Sequence, residues 1–167
     1  MSKAFSGWLS VSRLRLIGAG SIAAGVIDLV YAVAFNGRAG IPAIVIPQSV
    51  ASGLLGVSAF HGGMATAAVG LLLHFGILFV AATVYFSFSR KLKVLIVRPA
   101  ISGALFGLAI YLVMHAVVLP LSEAPKFKST TASTISDLIV HMALIGPIIA
   151  FAAHRSFMRQ APELATE

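Results

Sequence analysis

Four side chains in this sequence could do chemistry where charge is costly: Asp28, His74, His115 and His141. Each stands in a different long apolar stretch. An ionised group at the centre of a membrane helix costs at least ~2.5 kcal/mol, so such residues face the bundle interior and find partners. Neutral imidazole suits Zn, Cu, Fe and Ni, and a carboxylate can complete a metal set. Two imidazoles on facing helices at similar depth could instead hold a b-type haem. Histidine also titrates near neutral pH, as a proton relay requires. The fourth use is purely structural: the groups hydrogen-bond one another and lock the helices. Asp137 and His141, spaced i, i+4, can meet on one helix face, where the carboxylate could fix the imidazole tautomer. Tyr111 lies one turn from His115 and supports the same layer.

Other signatures are missing from the sequence. There is no His-Glu-x-x-His pair, no phosphate-cradling Gly-Lys-Ser/Thr loop and no Gly-x-Ser-x-Gly elbow. Gly18 and Gly20 form a G-x-G with no strand ahead of it. Cysteine is absent, which removes thiolate ligands, cysteine nucleophiles and disulfides. No catalytic residue is therefore assigned.

The elements that must position these groups follow from composition. Hydrophobic residues make up 59% of the 167 and charged residues only 10%, against roughly 25% charged in a soluble domain. No Lys, Arg, Asp or Glu occurs from Ala39 to Ser89. That run is too long for one crossing, since ~20 apolar residues span the bilayer core. The pattern predicts an all-α integral membrane domain of four transmembrane helices, over about 16–35, 63–88, 100–121 and 133–153. The stretch at about 41–60 carries Pro42, Pro47, Gly53 and Gly56. It reads as a short interfacial or re-entrant segment, with a fifth span as the alternative. The tail over 159–167 is polar.

The formal net charge of +7 forms no nucleic-acid module. The basic residues cluster between spans. Lys3, Arg13, Arg15, Arg90, Lys91, Lys93, Arg98, Arg155 and Arg159 share one side of a four-span arrangement; Arg38, Lys126 and Lys128 share the other. Basic residues favour the cytoplasm, so both termini are expected there. Cleavage of the first stretch as a signal peptide at Ala32-Val33-Ala34 is the rival reading; the length of the stretch and Asp28 oppose it.

The polar residues also agree in depth and face. At 1.5 Å per residue their depths match within roughly 8 Å, in the outer half of the bilayer. Asp28 shares a face with Gly25, Ser21 and Gly18, and His74 with Gly70, Ala67 and Gly63. His115 shares one with Gly107, which pairs with Gly103. Small residues let membrane helices approach closely. Packing within the chain is their first use; a homo-oligomer or another membrane protein as partner stays open, beside the lipid bilayer itself. Pro147 should loosen the fourth helix. Trp8 and Tyr85 read as interfacial anchors, His61 as an outer boundary residue, and His154 as part of the inner basic anchor.

Several runs carry a family resemblance. Val50-Ala51-Ser52-Gly53-Leu54-Leu55-Gly56 leads through Gly62-Gly63 to Gly70-Leu71-Leu72-Leu73-His74-Phe75. Later come Gly107-Leu108-Ala109-Ile110-Tyr111 and Val118-Leu119-Pro120-Leu121-Ser122. His141 is then followed by Gly146-Pro147-Ile148 and His154-Arg155. Over most of residues 15–155 the chain resembles a group of small uncharacterised bacterial inner-membrane proteins with four predicted transmembrane helices. The resemblance implies the fold and the inner membrane, and no activity. In that group Asn often stands where this chain has His115, which would leave His74 and His141 as the core of any ligand set. The leading expectation is an accessory or structural membrane protein without cofactor. The alternatives are a metal- or haem-binding redox protein and a proton-coupled transporter of a small solute.

Overall fold

Thr130 accepts a hydrogen bond from the Ser133 amide at 3.1 Å and so caps the last span. Pro99 opens the third span at a first-turn position, where its missing N–H costs nothing. The computed structural model describes residues 11–126 and 130–160; Lys3, Trp8, Lys128 and the tail beyond residue 160 lie outside them.

The elements run α1 (Val11–Gly37), α2 (Val45–Leu55), a tight turn of helix over Gly56–His61, α3 (Gly63–Ser89), α4 (Val94–Val97) and α5 (Pro99–Val113). A wide, π-type turn over Met114–Val118 links α5 to α6 (Leu119–Leu121), and another over His141–Ile145 links α7 (Thr131–Val140) to α8 (Gly146–Gln160). Four stretches are long and apolar enough to cross a membrane: Leu14–Gly37, Gly63–Ser89, Pro99–Leu121 and Thr131–Met158. The chain is an all-α, multi-pass membrane protein. The observed spans begin and end within a few residues of those expected, save that the fourth runs to Met158. Large apolar side chains such as Leu72, Val80, Leu105 and Ile139 point outward, as lipid contact requires.

The segment after α1 is not a fifth span. At eleven residues, α2 is roughly 16 Å long, about half the hydrocarbon thickness. It packs along α3, and Gly70 permits this, since a side chain there would overlap the Pro47 carbonyl. Gly70 lies seven residues into span two, so α2 reaches roughly 10 Å inward. Gln48, 3% exposed, donates to the Gly63 carbonyl at 3.0 Å. The Glu123 amide donates to the Gly53 carbonyl at 3.0 Å, tying α2 to the end of span three.

Span one packs against spans two and four, and span three packs against span four. Gly103, Gly107 and Gly146 make the last contact the closest; a side chain at Gly107 would overlap the His141 carbonyl. The Gly-x-x-x-Gly pair is therefore used inside the chain. Gly20 abuts Ala152. Of the face expected on span one, Gly25 packs on Phe75 and Ser21 is buried, while Gly18 has nothing within 4 Å. The buried core lies toward the basic end, around Ile17, Leu78, Ala82, Tyr85, Ile149 and Ala153.

Two anchor assignments need correction. Tyr85 is 2% exposed and sits inside the bundle; its hydroxyl donates to the Leu95 carbonyl at 2.9 Å and approaches Ser102 at 2.9 Å. His154 donates from Nδ1 to the Ile96 carbonyl at 2.7 Å. Both residues staple the loop between spans two and three to the bundle, because its unpaired carbonyls need donors where water is scarce. His61 ends its turn of helix exposed, at the boundary expected.

Candidate functional site

Both wide turns sit on a proline. Pro120 would press on the carbonyl of Ala116, and Pro147 on that of Ala143, four residues back. Each alanine lies inside its wide turn, and widening the turn relieves the clash. The carbonyl just upstream of each wide turn accepts a backbone N–H and has a second lone pair to offer. A histidine takes it in each case: His115 donates from Nδ1 to the Tyr111 carbonyl at 3.0 Å, and His141 donates from Nδ1 to the Asp137 carbonyl at 2.8 Å. In the neutral rings the proton is thereby on Nδ1, and Nε2 is left as an acceptor. The i, i+4 relation of Asp137 and His141 is real, but the backbone carbonyl of Asp137 sets the tautomer, not its carboxylate.

The Asp137 carboxylate has another partner. Tyr31 donates its hydroxyl proton to Asp137 Oδ1 at 2.7 Å. Ser136 Oγ lies 2.7 Å from the same phenol; with one phenolic proton already committed, the serine hydroxyl donates back. Tyr31 was not singled out from sequence, although it stands three residues from Asp28 on the same helix face. The bond ties span one to span four. In a double-mutant cycle, Tyr31→Phe and Asp137→Asn should couple by about 0.6 kcal/mol, and by no more than about 1.7. Unfolding by SDS in mixed micelles reads this; additive effects would show that the contact contributes nothing.

His74 joins spans one and two. Its Nε2 donates to the Gly25 carbonyl at 3.0 Å. Its Nδ1 faces Asp28 Oδ2 at 4.0 Å, with side-chain exposures of 12% and 21%. That separation is an ion-pair distance, too long for a hydrogen bond. Asp28 also feels His141 and Asp137 electrostatically. Asp28, His74, His141 and Asp137 thus form one layer across spans one, two and four. Tyr111 is buried beside it, edge-on to His141 at 5.8 Å between centroids.

His115 does not join this layer. Its ring stacks on Tyr111 at 4.0 Å, and the residue is exposed on the lipid side. Among the described residues, no three His, Asp or Glu side chains converge as metal ligands. The set His74, His141, His115 and Asp28 therefore does not assemble as one centre: His115 is turned outward, and both His74 nitrogens are directed at span one. No family model, curated protein or solved structure matches this chain.

Proposed function

We propose that this chain is an accessory or structural protein of the bacterial inner (cytoplasmic) membrane, with both termini in the cytoplasm. Its His/Asp layer holds spans one, two and four in register. The observation that carries this reading is that the layer's contacts cross between spans: His74 of span two bonds the Gly25 carbonyl and faces Asp28 of span one, and Tyr31 of span one bonds Asp137 of span four. Arg15, Arg90, Lys91, Lys93, Arg98 and Arg155 at one end, against Arg38 and Lys126 at the other, support cytoplasmic termini. The resemblance to small bacterial inner-membrane proteins supports the location.

The test is an Asp28→Asn/His74→Gln variant in proteoliposomes with an imposed pH gradient. A structural layer predicts that wild type and variant hold the gradient as well as protein-free vesicles, while the variant unfolds at lower SDS. The contiguity of Asp28, His74 and His141 also favours a second reading, a proton-coupled path for a small solute. Gradient dissipation by wild type, abolished in the variant, would replace the first reading with the second. For orientation, a C-terminal fluorescent-protein fusion should fluoresce and a C-terminal alkaline phosphatase fusion should be inactive. The opposite pattern would place the C-terminus outside.

A further inference from the structure

Spans two and three share no extended contact. At the outer end α2 lies along span two and meets the end of span three through Glu123 and Gly53. At the basic end the two spans are joined through Tyr85, which meets Ser102 and Phe106, and through the short α4 between them. The two helices there enclose an open cleft of about 460 Å³. Its walls are Val84 and Phe88 from span two, and Ile101, Leu105 and Ala109 from span three, with Tyr85 and Phe106 packed edge to face at 4.9 Å behind them. Arg98 and Ser102 are its polar lining. Lys91 borders an adjoining cleft that shares Phe88, and Lys93 stands between the wall residues Leu92 and Val94.

The geometry points to an anionic phospholipid bound in this cleft, with an acyl chain between spans two and three and its phosphate at Arg98. Three features favour that occupant. The cleft lies between two membrane spans and most of its lining side chains are apolar. Its charge is one-sided among the described residues: their carboxylates are Asp28 and Asp137 in the polar layer and Glu123 in the opposite loop, so no described carboxylate lines the cleft. Basic pockets between helices at a membrane surface select anionic headgroups. A helical partner would need small residues for close approach, whereas Phe88, Leu92, Ile101 and Leu105 present bulky side chains here. The inference needs only the membrane fold; it does not depend on which side the basic end faces.

The test uses full-length protein in micelles containing equal phosphatidylglycerol and phosphatidylcholine, with retained lipids counted by native mass spectrometry. Wild type should retain phosphatidylglycerol preferentially. Arg98→Gln should lower that preference about fivefold, the loss expected for one basic residue at a membrane surface. Leu105→Trp fills the cleft without changing charge and should also release the lipid. Lys126→Gln, at the other end, should change nothing. Arg98 and Leu105 are exposed, so both variants should fold; Ala109→Phe on the same wall replaces Leu105→Trp if it does not. Equal retention of the two lipids overturns the inference. So does a preference that ignores both Leu105→Trp and Ala109→Phe, or one that falls as much with Lys126→Gln as with Arg98→Gln.

Discussion

Gly107→Leu is expected to destabilise the bundle by about 3 kcal/mol or more, the upper range for overpacking a well-filled interior. A side chain at residue 107 would overlap the His141 carbonyl and meet the Met142 Cα at 3.0 Å. Those atoms are backbone and cannot rotate aside. The carbonyl belongs to the wide turn whose form is set by Pro147 and whose upstream carbonyl is held by His141. Span three must then lift off span four, its main partner. Gly146, from the facing helix, is within the same contact, so the lost packing extends over about a turn. Gly18→Ala is the control: with nothing within 4 Å, it should be neutral or stabilising by about 0.5 kcal/mol, through lost glycine entropy. SDS unfolding midpoints read both. Equal tolerance of the two substitutions would show that the close crossing does not hold the bundle.

His74→Leu is expected to cost up to about 3 kcal/mol, and Asp28→Leu/His74→Leu to cost less than that single change. Removing one member of a buried pair strands the other, whereas removing both removes the need for a partner. The stranded group is Asp28, whose remaining neighbours are His141 and the like-charged Asp137. The low end of the range for buried pairs applies because His74 and Asp28 are 4.0 Å apart and partly exposed. Unfolding midpoints of the two single variants and the double variant give the sign. A double variant less stable than both singles would mean that the histidine and the carboxylate stabilise the fold separately.

The layer also bears on how far the residues alone lead. Asp28, His74 and His141 fall at similar depth because each is a fixed number of residues from a span end, and 1.5 Å per residue converts count to height. Tyr31 was legible in the same way, three residues from Asp28, but an aromatic at a helix end reads equally well as an interface anchor. Tyr85 was misassigned for that reason. Its burial depends on Leu95 and Ser102, which a loop and a third helix bring to it.

Membrane class, four spans and the short α2 follow from the chain itself, because lipid leaves few backbone solutions for apolar runs of given length. The glycines could be listed but not matched to partners: Gly70 receives α2, Gly107 receives His141, and Gly18 receives nothing. Packing decided His115: counting along a helix groups residues by face but does not say which face a neighbouring helix covers, and His115 lies exposed against Tyr111. The order of the helices around the bundle was likewise invisible, since span order along a chain does not specify neighbours. It is this order that brings span one between spans two and four, joins the polar layer there, and leaves spans two and three without extended contact.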